Sequence, residues 1–146
     1  MEDSSAALSI LVIESNPDHA QLIQEVLSSN SIQHQIVTIA DGLEALDFLH
    51  QRENYVSAAR PDLILLDLNI SGKNGREILS EIKTNPQLKR IPIVVLTTST
   101  EEADIFNSYA QQGNCYVIKS FDANQLFQVV KRIEEFWLGI VTLPVE

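Results

Sequence analysis

Five short apolar runs punctuate the chain, and each is continuous rather than alternating: Leu8–Ile13, Ile36–Ala40, Leu63–Leu68, Ile91–Thr97 and Cys115–Ile118. A strand with one wet face alternates apolar and polar residues, whereas an unbroken run suits a strand covered on both faces of a parallel sheet. Ile64, Ile91, Ile93, Val94 and Val95 add β-branched character that favours extended backbone. Between and after these runs lie five stretches with helical spacing. Asn16 ahead of Pro17 sets a cap before a proline at the first helical position, and Leu22, Ile23, Val26 and Leu27 follow on one stripe. Asp41 with Glu44, Asn74 with Glu77, Ser99 with Glu102 and Asp122 with Gln125 have the spacing of capping boxes. Ile78, Leu79 and Ile82 mark the buried face of the third helix, and Phe106, Tyr109 and Ala110 that of the fourth, which Gly113 is placed to end. Strand then helix, five times over with right-handed crossovers, predicts a three-layer doubly wound α/β fold.

Composition narrows the class further. A chain of 146 residues, 45% hydrophobic, suits one domain with one core spanning residues 1–146. The polar, acidic start from Met1 to Ala7 is the opposite of a signal peptide, and Leu8–Ile13 is too short to cross a bilayer, so a cytoplasmic protein without membrane contact is expected. The lone Cys115 forms no internal disulfide and reads as a small buried residue of a strand. A net charge of −10 argues against nucleic acid as a main partner, because phosphate backbones require basic patches.

In an open α/β sheet, ligands bind beyond the carboxyl ends of the strands. Those ends carry Glu14 and Ser15 after the first strand, Asp67 at the end of the third, Thr97 at the end of the fourth and Lys119 after the fifth. Asp67 closes Leu-Ile-Leu-Leu-Asp, where an unpaired carboxylate would be costly. Any one of these residues has an ordinary reading as a solvated strand end. Together they suit phosphoryl transfer to a carboxylate, which needs an exposed nucleophile and neutralised equatorial oxygens. Asp67 is then the nucleophile, Lys119 a fixed cation, Thr97 a hydroxyl donor, and Mg²⁺ held by oxygens the main source of neutralising charge.

These residues resemble the receiver domains of two-component signalling. The matching pieces are Ile-Leu-Val-Ile-Glu, Asp-Gly-Leu-Glu-Ala-Leu, Leu-Ile-Leu-Leu-Asp-Leu-Asn, Gly75 eight residues past Asp67, Val-Val-Leu-Thr-Thr-Ser and Tyr-Val-Ile-Lys, in order along nearly the whole chain. The resemblance implies a flavodoxin-like sheet of order 2-1-3-4-5 with five helices. It makes Asp67 the phosphoacceptor, with Lys119 and Thr97 contacting the phosphoryl group. Mg²⁺ is then held by Glu14, Asp67 and the backbone carbonyl of Asn69, with Thr97 and Tyr116 as switch residues. It also implies a histidine kinase as phosphodonor, with the receiver catalysing the transfer to itself rather than acting as an enzyme on another substrate. The segment His50 to Pro61 and the tail from Phe136-Trp137-Leu138 through Val141-Thr142-Leu143-Pro144 are similar to phytochrome-associated receivers of cyanobacteria, which implies a phytochrome-type light-sensing kinase.

The sequence also departs from the family's pattern. Ser15 stands where a second acid usually contacts the metal, keeping an oxygen but losing a charge. A carboxylate about 4 Å from a divalent ion, at an effective dielectric of about 20, contributes on the order of 8 kcal/mol of gross attraction. Water offsets most of that loss, so weaker Mg²⁺ binding is expected. Ser120 replaces a proline that commonly follows the lysine, which leaves the usual cis geometry there open. Ser71 and Asn74 replace a proline and an acid after Asp67, and Gly72 and Gly75 are expected to keep that loop flexible. Asp18 reads as an acid favoured by a helix dipole, and His19, His34 and His50 read as surface residues without ligand spacing.

The last helix carries more apolar surface than one core face needs. Leu126, Val130, Ile133 and Trp137 share a stripe that Phe127, Phe136 and Leu138 enlarge. This predicts a symmetric homodimer through Leu126, Val130, Phe136, Trp137 and Leu138, with the tail 136–146 as a contact. Two other functions compete with the phosphoacceptor. A degenerate receiver would dock without phosphorylation, a reading supported by Ser15. A flavin carrier would need a Gly- or Ser/Thr-rich phosphate loop after the first strand, where this chain has Glu-Ser-Asn-Pro-Asp. The downstream target is not legible.

Overall fold

The computed structural model describes residues 8–28, 34–70, 72, 74–97, 114–118 and 122–135. Five strands, β1 (Ser9–Ile13), β2 (Gln35–Ile39), β3 (Leu63–Asp67), β4 (Ile93–Thr97) and β5 (Asn114–Ile118), form one parallel sheet in the order β2-β1-β3-β4-β5. Four α-helices are described: α1 (Pro17–Ser28), α2 (Gly42–Leu49), α3 (Gly75–Thr84) and α4 (Ala123–Ile133), with a short 3-10 turn at Glu53–Tyr55. The helix expected around Phe106, Tyr109, Ala110 and Gly113, with its cap at Ser99 and Glu102, falls outside the described residues.

The two-residue period of the strands sorts the core into two layers. Ile10, Val12, Leu63, Leu65, Val94 and Leu96 point to one face, where Ile23, Val26 and Leu27 of α1 and Leu126, Val130 and Ile133 of α4 cover them. Leu11, Ile13, Ile64, Leu66, Ile93 and Val95 point to the other face, under Ala45, Leu46, Phe48 and Leu49 of α2 and Ile78, Leu79 and Ile82 of α3. All five residues of β3 are buried, which accounts for its unbroken apolar run. β2 is an edge strand and is only partly covered, with Gln35 and Thr38 exposed; its neighbours shield it on one side only.

Helix starts follow the sequence signals, with two adjustments. Asn16 Oδ1 accepts from the backbone N–H of Asp18 and His19, at 2.9 and 3.2 Å, ahead of Pro17. Asp41 and Asp122 each accept from the N–H three residues on, at 3.0 and 3.1 Å. Asn74 instead accepts from Arg76 N at 2.7 Å, and the Glu44 carboxylate turns away from its cap to accept from the Tyr55 hydroxyl.

The expectation that Leu126 and Val130 form a subunit contact is corrected here. Both are completely buried against β1, β3, β4 and α1 of their own chain, so neither presents a surface to a second copy. Phe136, Trp137 and Leu138 lie outside the described residues.

Candidate functional site

The strand order reverses between β1 and β3, since the chain leaves β1 for β2 on one side and returns to β3 on the other. Such a switch point opens a crevice at the carboxyl edge of the sheet. Glu14 and Asp67 stand on its two sides. The register pairs Ile13 with Leu66, so the next residues, Glu14 and Asp67, come level with one another, and Asp67 pairs in turn with Leu96. By strand alternation both acids belong to the face covered by α1 and α4.

Both carboxylates are almost fully buried, Glu14 at 2% and Asp67 at 4% exposure. Asp67 Oδ1 accepts from Asn69 N at 2.9 Å, and Glu14 Oε2 accepts from Asn16 N at 3.1 Å. Each acid therefore shapes the turn that follows its own strand. Beyond β1, Glu14 N donates to Ile39 O at 3.0 Å, and beyond Asp67, Leu68 N donates to Leu96 O at 3.1 Å. Ladder bonds on both sides hold the two acids rigidly in place. Ser15 is half-buried, and its hydroxyl donates to Ala40 O at 2.9 Å.

Thr97 is the last residue of β4 and pairs with Ile118 at the end of β5, which brings the backbone of the fourth and fifth strands to the same edge. Tyr116 pairs with Val95, two rows further back. The side chains of Thr97 and Tyr116, and all of Lys119, Ser120 and Ser71, lie outside the described residues. Asn69 is exposed in the turn after β3. Asp18 is exposed in the first turn of α1, as its reading as a helix-dipole acid implies.

The chemistry of this donor set fits a hard divalent cation. Two carboxylates on adjacent strands and a nearby hydroxyl are oxygen donors, and Mg²⁺ is commonly held by one or two carboxylates with water completing its shell. Among the described residues no group of three His, Cys, Asp or Glu side chains is placed to hold a metal. The described helices also include none long and apolar enough to cross a membrane.

Two sequence expectations are overturned around the site. Gly72 and Gly75 are close-approach positions rather than sources of flexibility. A Cβ on Gly75 would lie 2.6 Å from the Cα and carbonyl oxygen of Leu68, the residue directly after Asp67. Gly72 has φ +91°, and a Cβ there would lie 2.8 Å from Asp41 Cγ. The histidines are not simple surface residues either. His19 is buried at 7% exposure. His34 Nδ1 accepts from Leu8 N at 3.0 Å, while its Nε2 is out of solvent with no hydrogen-bond partner among the described residues. His50 Nε2 lies 2.8 Å from Glu81 Oε2 and joins the end of α2 to α3. Tertiary packing recruits these rings, and residue spacing alone gives no sign of it.

A buried acid at the end of the central strand, beside a second acid across the switch point of a 2-1-3-4-5 sheet, defines a receiver. Residues 10–131 match the response regulator receiver domain family, and the chain belongs to that family. It is 49% identical over 143 residues to the response regulator Rcp1 of Synechocystis, covering 98% of this chain and 97% of Rcp1. The crystal structure of the phosphorylated cyanobacterial phytochrome response regulator RcpA superposes with a TM-score of 0.89 at 54% identity, covering 96% of this chain and all of RcpA. The Mn²⁺-bound form of Rcp1 superposes at 0.88 with 50% identity, covering 94% of this chain and 99% of that one. The chain is thus a response regulator related to cyanobacterial phytochrome response regulators.

Proposed function

We propose that this response regulator accepts a phosphoryl group on Asp67 from a phytochrome-type histidine kinase, in the cytoplasm, and signals by protein contact. The observation that carries the reading is the buried pair Glu14 and Asp67, level with one another across the switch point of the sheet. An Asp67 carboxylate oxygen attacks phosphorus, the bond from phosphorus to the donor's histidine nitrogen breaks, and the imidazole leaves with the bond's electron pair. Mg²⁺ held by Glu14, Asp67 and the Asn69 carbonyl would neutralise charge on the phosphoryl oxygens.

The chain's own residues do the rest. Asn69 N–H holds Asp67 Oδ1, which orients the carboxylate. Lys119 pairs with one phosphoryl oxygen and Thr97 donates to another. Filling that pocket shifts a two-state equilibrium at Thr97 and Tyr116 and so changes the surface offered to partners. Rcp1 and RcpA support the pairing with a light sensor, since RcpA is a phytochrome response regulator and is known in phosphorylated form. The Mn²⁺-bound form of Rcp1 supports a divalent-cation site.

Incubation with Mg²⁺ and a small phosphodonor, read by intact mass, tests the reading. The expected result is a gain of one phosphoryl group that is abolished by chelation and by Asp67→Asn. An unmodified parent whose labelling appears only in Ser15→Asp would instead show a receiver silenced at residue 15.

A further inference from the structure

Asp41 is expected as a helix cap and opens the Asp-Gly-Leu-Glu-Ala-Leu piece, and its carboxylate reaches two places. Oδ2 accepts from Glu44 N at 3.0 Å and so starts α2. Oδ1 fills the space beside Gly72, in the loop that follows Asp67 and Asn69; any Cβ at residue 72 would overlap it. The neighbouring residue Ala40 makes the matching contact on the other side, its carbonyl accepting from Ser15 Oγ at 2.9 Å. From the end of β2, outside β1 in the sheet, the two-residue stretch Ala40–Asp41 therefore touches both the turn after β1, through Ser15, and the loop after β3, through Gly72. The oxygens assigned to the cation lie at the starts of that turn and that loop.

We propose that Asp41 is a positioning residue of the phosphorylation site: it wedges against Gly72 and sets the spacing between the two halves of the cation site. The inference rests on the phosphoacceptor reading above and deepens it. The wedge works by shape. A side chain of the same outline preserves it, a shorter one leaves the Gly72 loop without its stop, and Gly72 has to be glycine for the wedge to fit. With Ser15 contributing no charge, the cation depends more heavily on correctly spaced oxygens.

Calorimetric titration of the full chain with Mg²⁺ alone provides the test, alongside thermal melting. Asp41→Ser retains an N-cap side chain, so α2 and the melting temperature are expected to hold. Its Mg²⁺ affinity is expected to fall roughly tenfold, the lower end of the loss seen for residues that orient metal ligands. Asp41→Asn, which keeps the outline, is expected to bind Mg²⁺ as the parent does. Gly72→Ala is expected to weaken binding by clash, with less than additive loss when combined with Asp41→Ser, because the clash partner is gone. Asp41→Ser with parental affinity would overturn the proposal, as would Asp41→Asn weakened as much as Asp41→Ser, which would make charge rather than shape the cause. Failure of the phosphoacceptor reading looks different: the parent itself would neither bind Mg²⁺ nor take up a phosphoryl group, and the proposal would fall with it.

Discussion

Residue 15 is where the receiver resemblance leads one to expect an acid and this chain has Ser15. A serine hydroxyl that donates to Ala40 O leaves Glu14 and Asp67 as the two buried acids facing the crevice. Ser15→Asp is expected to raise Mg²⁺ affinity by roughly tenfold or more, measured by calorimetry. The same change places a third carboxylate beside two buried ones, so the metal-free variant should melt below the parent and recover on adding Mg²⁺. Equal affinity in parent and variant would show that residue 15 takes no part in the cation site. The positions of Asp67 and Glu14 at one sheet edge were legible because both follow apolar strand runs, although either acid alone reads equally well as a solvated strand end; their burial was not legible. Gly72 and Gly75 were misread because a missing side chain looks the same whether the backbone needs freedom or a neighbour needs the room; Leu68 and Asp41 supply the neighbours.

Strands and most helices were readable because their signals are local. The apolar runs predict the five strands to within a residue or two, and Asn16, Asp41 and Asp122 cap the helices they were expected to cap. Which face of α4 meets the core is decided by packing, and there the sequence misled. The stripe Leu126, Val130 and Ile133 is the chain's own core, and Phe127 is the large apolar residue of that helix left exposed. Leu126→Ala or Val130→Ala is accordingly expected to cost about 2–4 kcal/mol in denaturant unfolding without changing oligomeric state. A loss of association with unchanged stability would reverse that assignment.

The start of β2 carries a pH-dependent contribution. Burial lowers the pKa of His34 below its ordinary 6.5, with Glu134 opposing the shift. Its Nδ1 accepts from Leu8 N, so protonation would also break that bond. The unfolded chain binds the proton more readily than the native one, so this contribution is full above pH 6.5 and is lost as the pH falls from there through the lowered native value. His34→Gln keeps an acceptor without titrating, and its melting temperature should fall less than the parent's over that window. Parallel curves for the two proteins would remove His34 as the cause.

At the scale of the whole molecule, a sheet with its switch point between β1 and β3 brings distant segments to one edge. The order of the strands was foreseen from family resemblance, because apolar periodicity specifies that strands exist but not which lie side by side. Association is expected through Phe136, Trp137 and Leu138, now that Leu126 and Val130 are accounted for in the core. Light scattering should give twice the 16.3 kDa mass of the chain and a lower value when the three are replaced by polar residues. A parent that stays at the single-chain mass, with or without phosphodonor, would remove the dimer.

Phosphorylation of this chain requires Asp67 to sit at the centre of an anion pocket. A crystal structure with Mg²⁺ and fluoroberyllate, a mimic of the phosphoryl group, tests this most directly. The predicted result is the mimic on the Asp67 carboxylate, with Mg²⁺ touching Glu14, Asp67 and the Asn69 carbonyl, and with the Lys119 ammonium and the Thr97 hydroxyl on its fluorines. An Asp67 left bare under saturating mimic, or Lys119 and Thr97 turned away from it, would contradict the account.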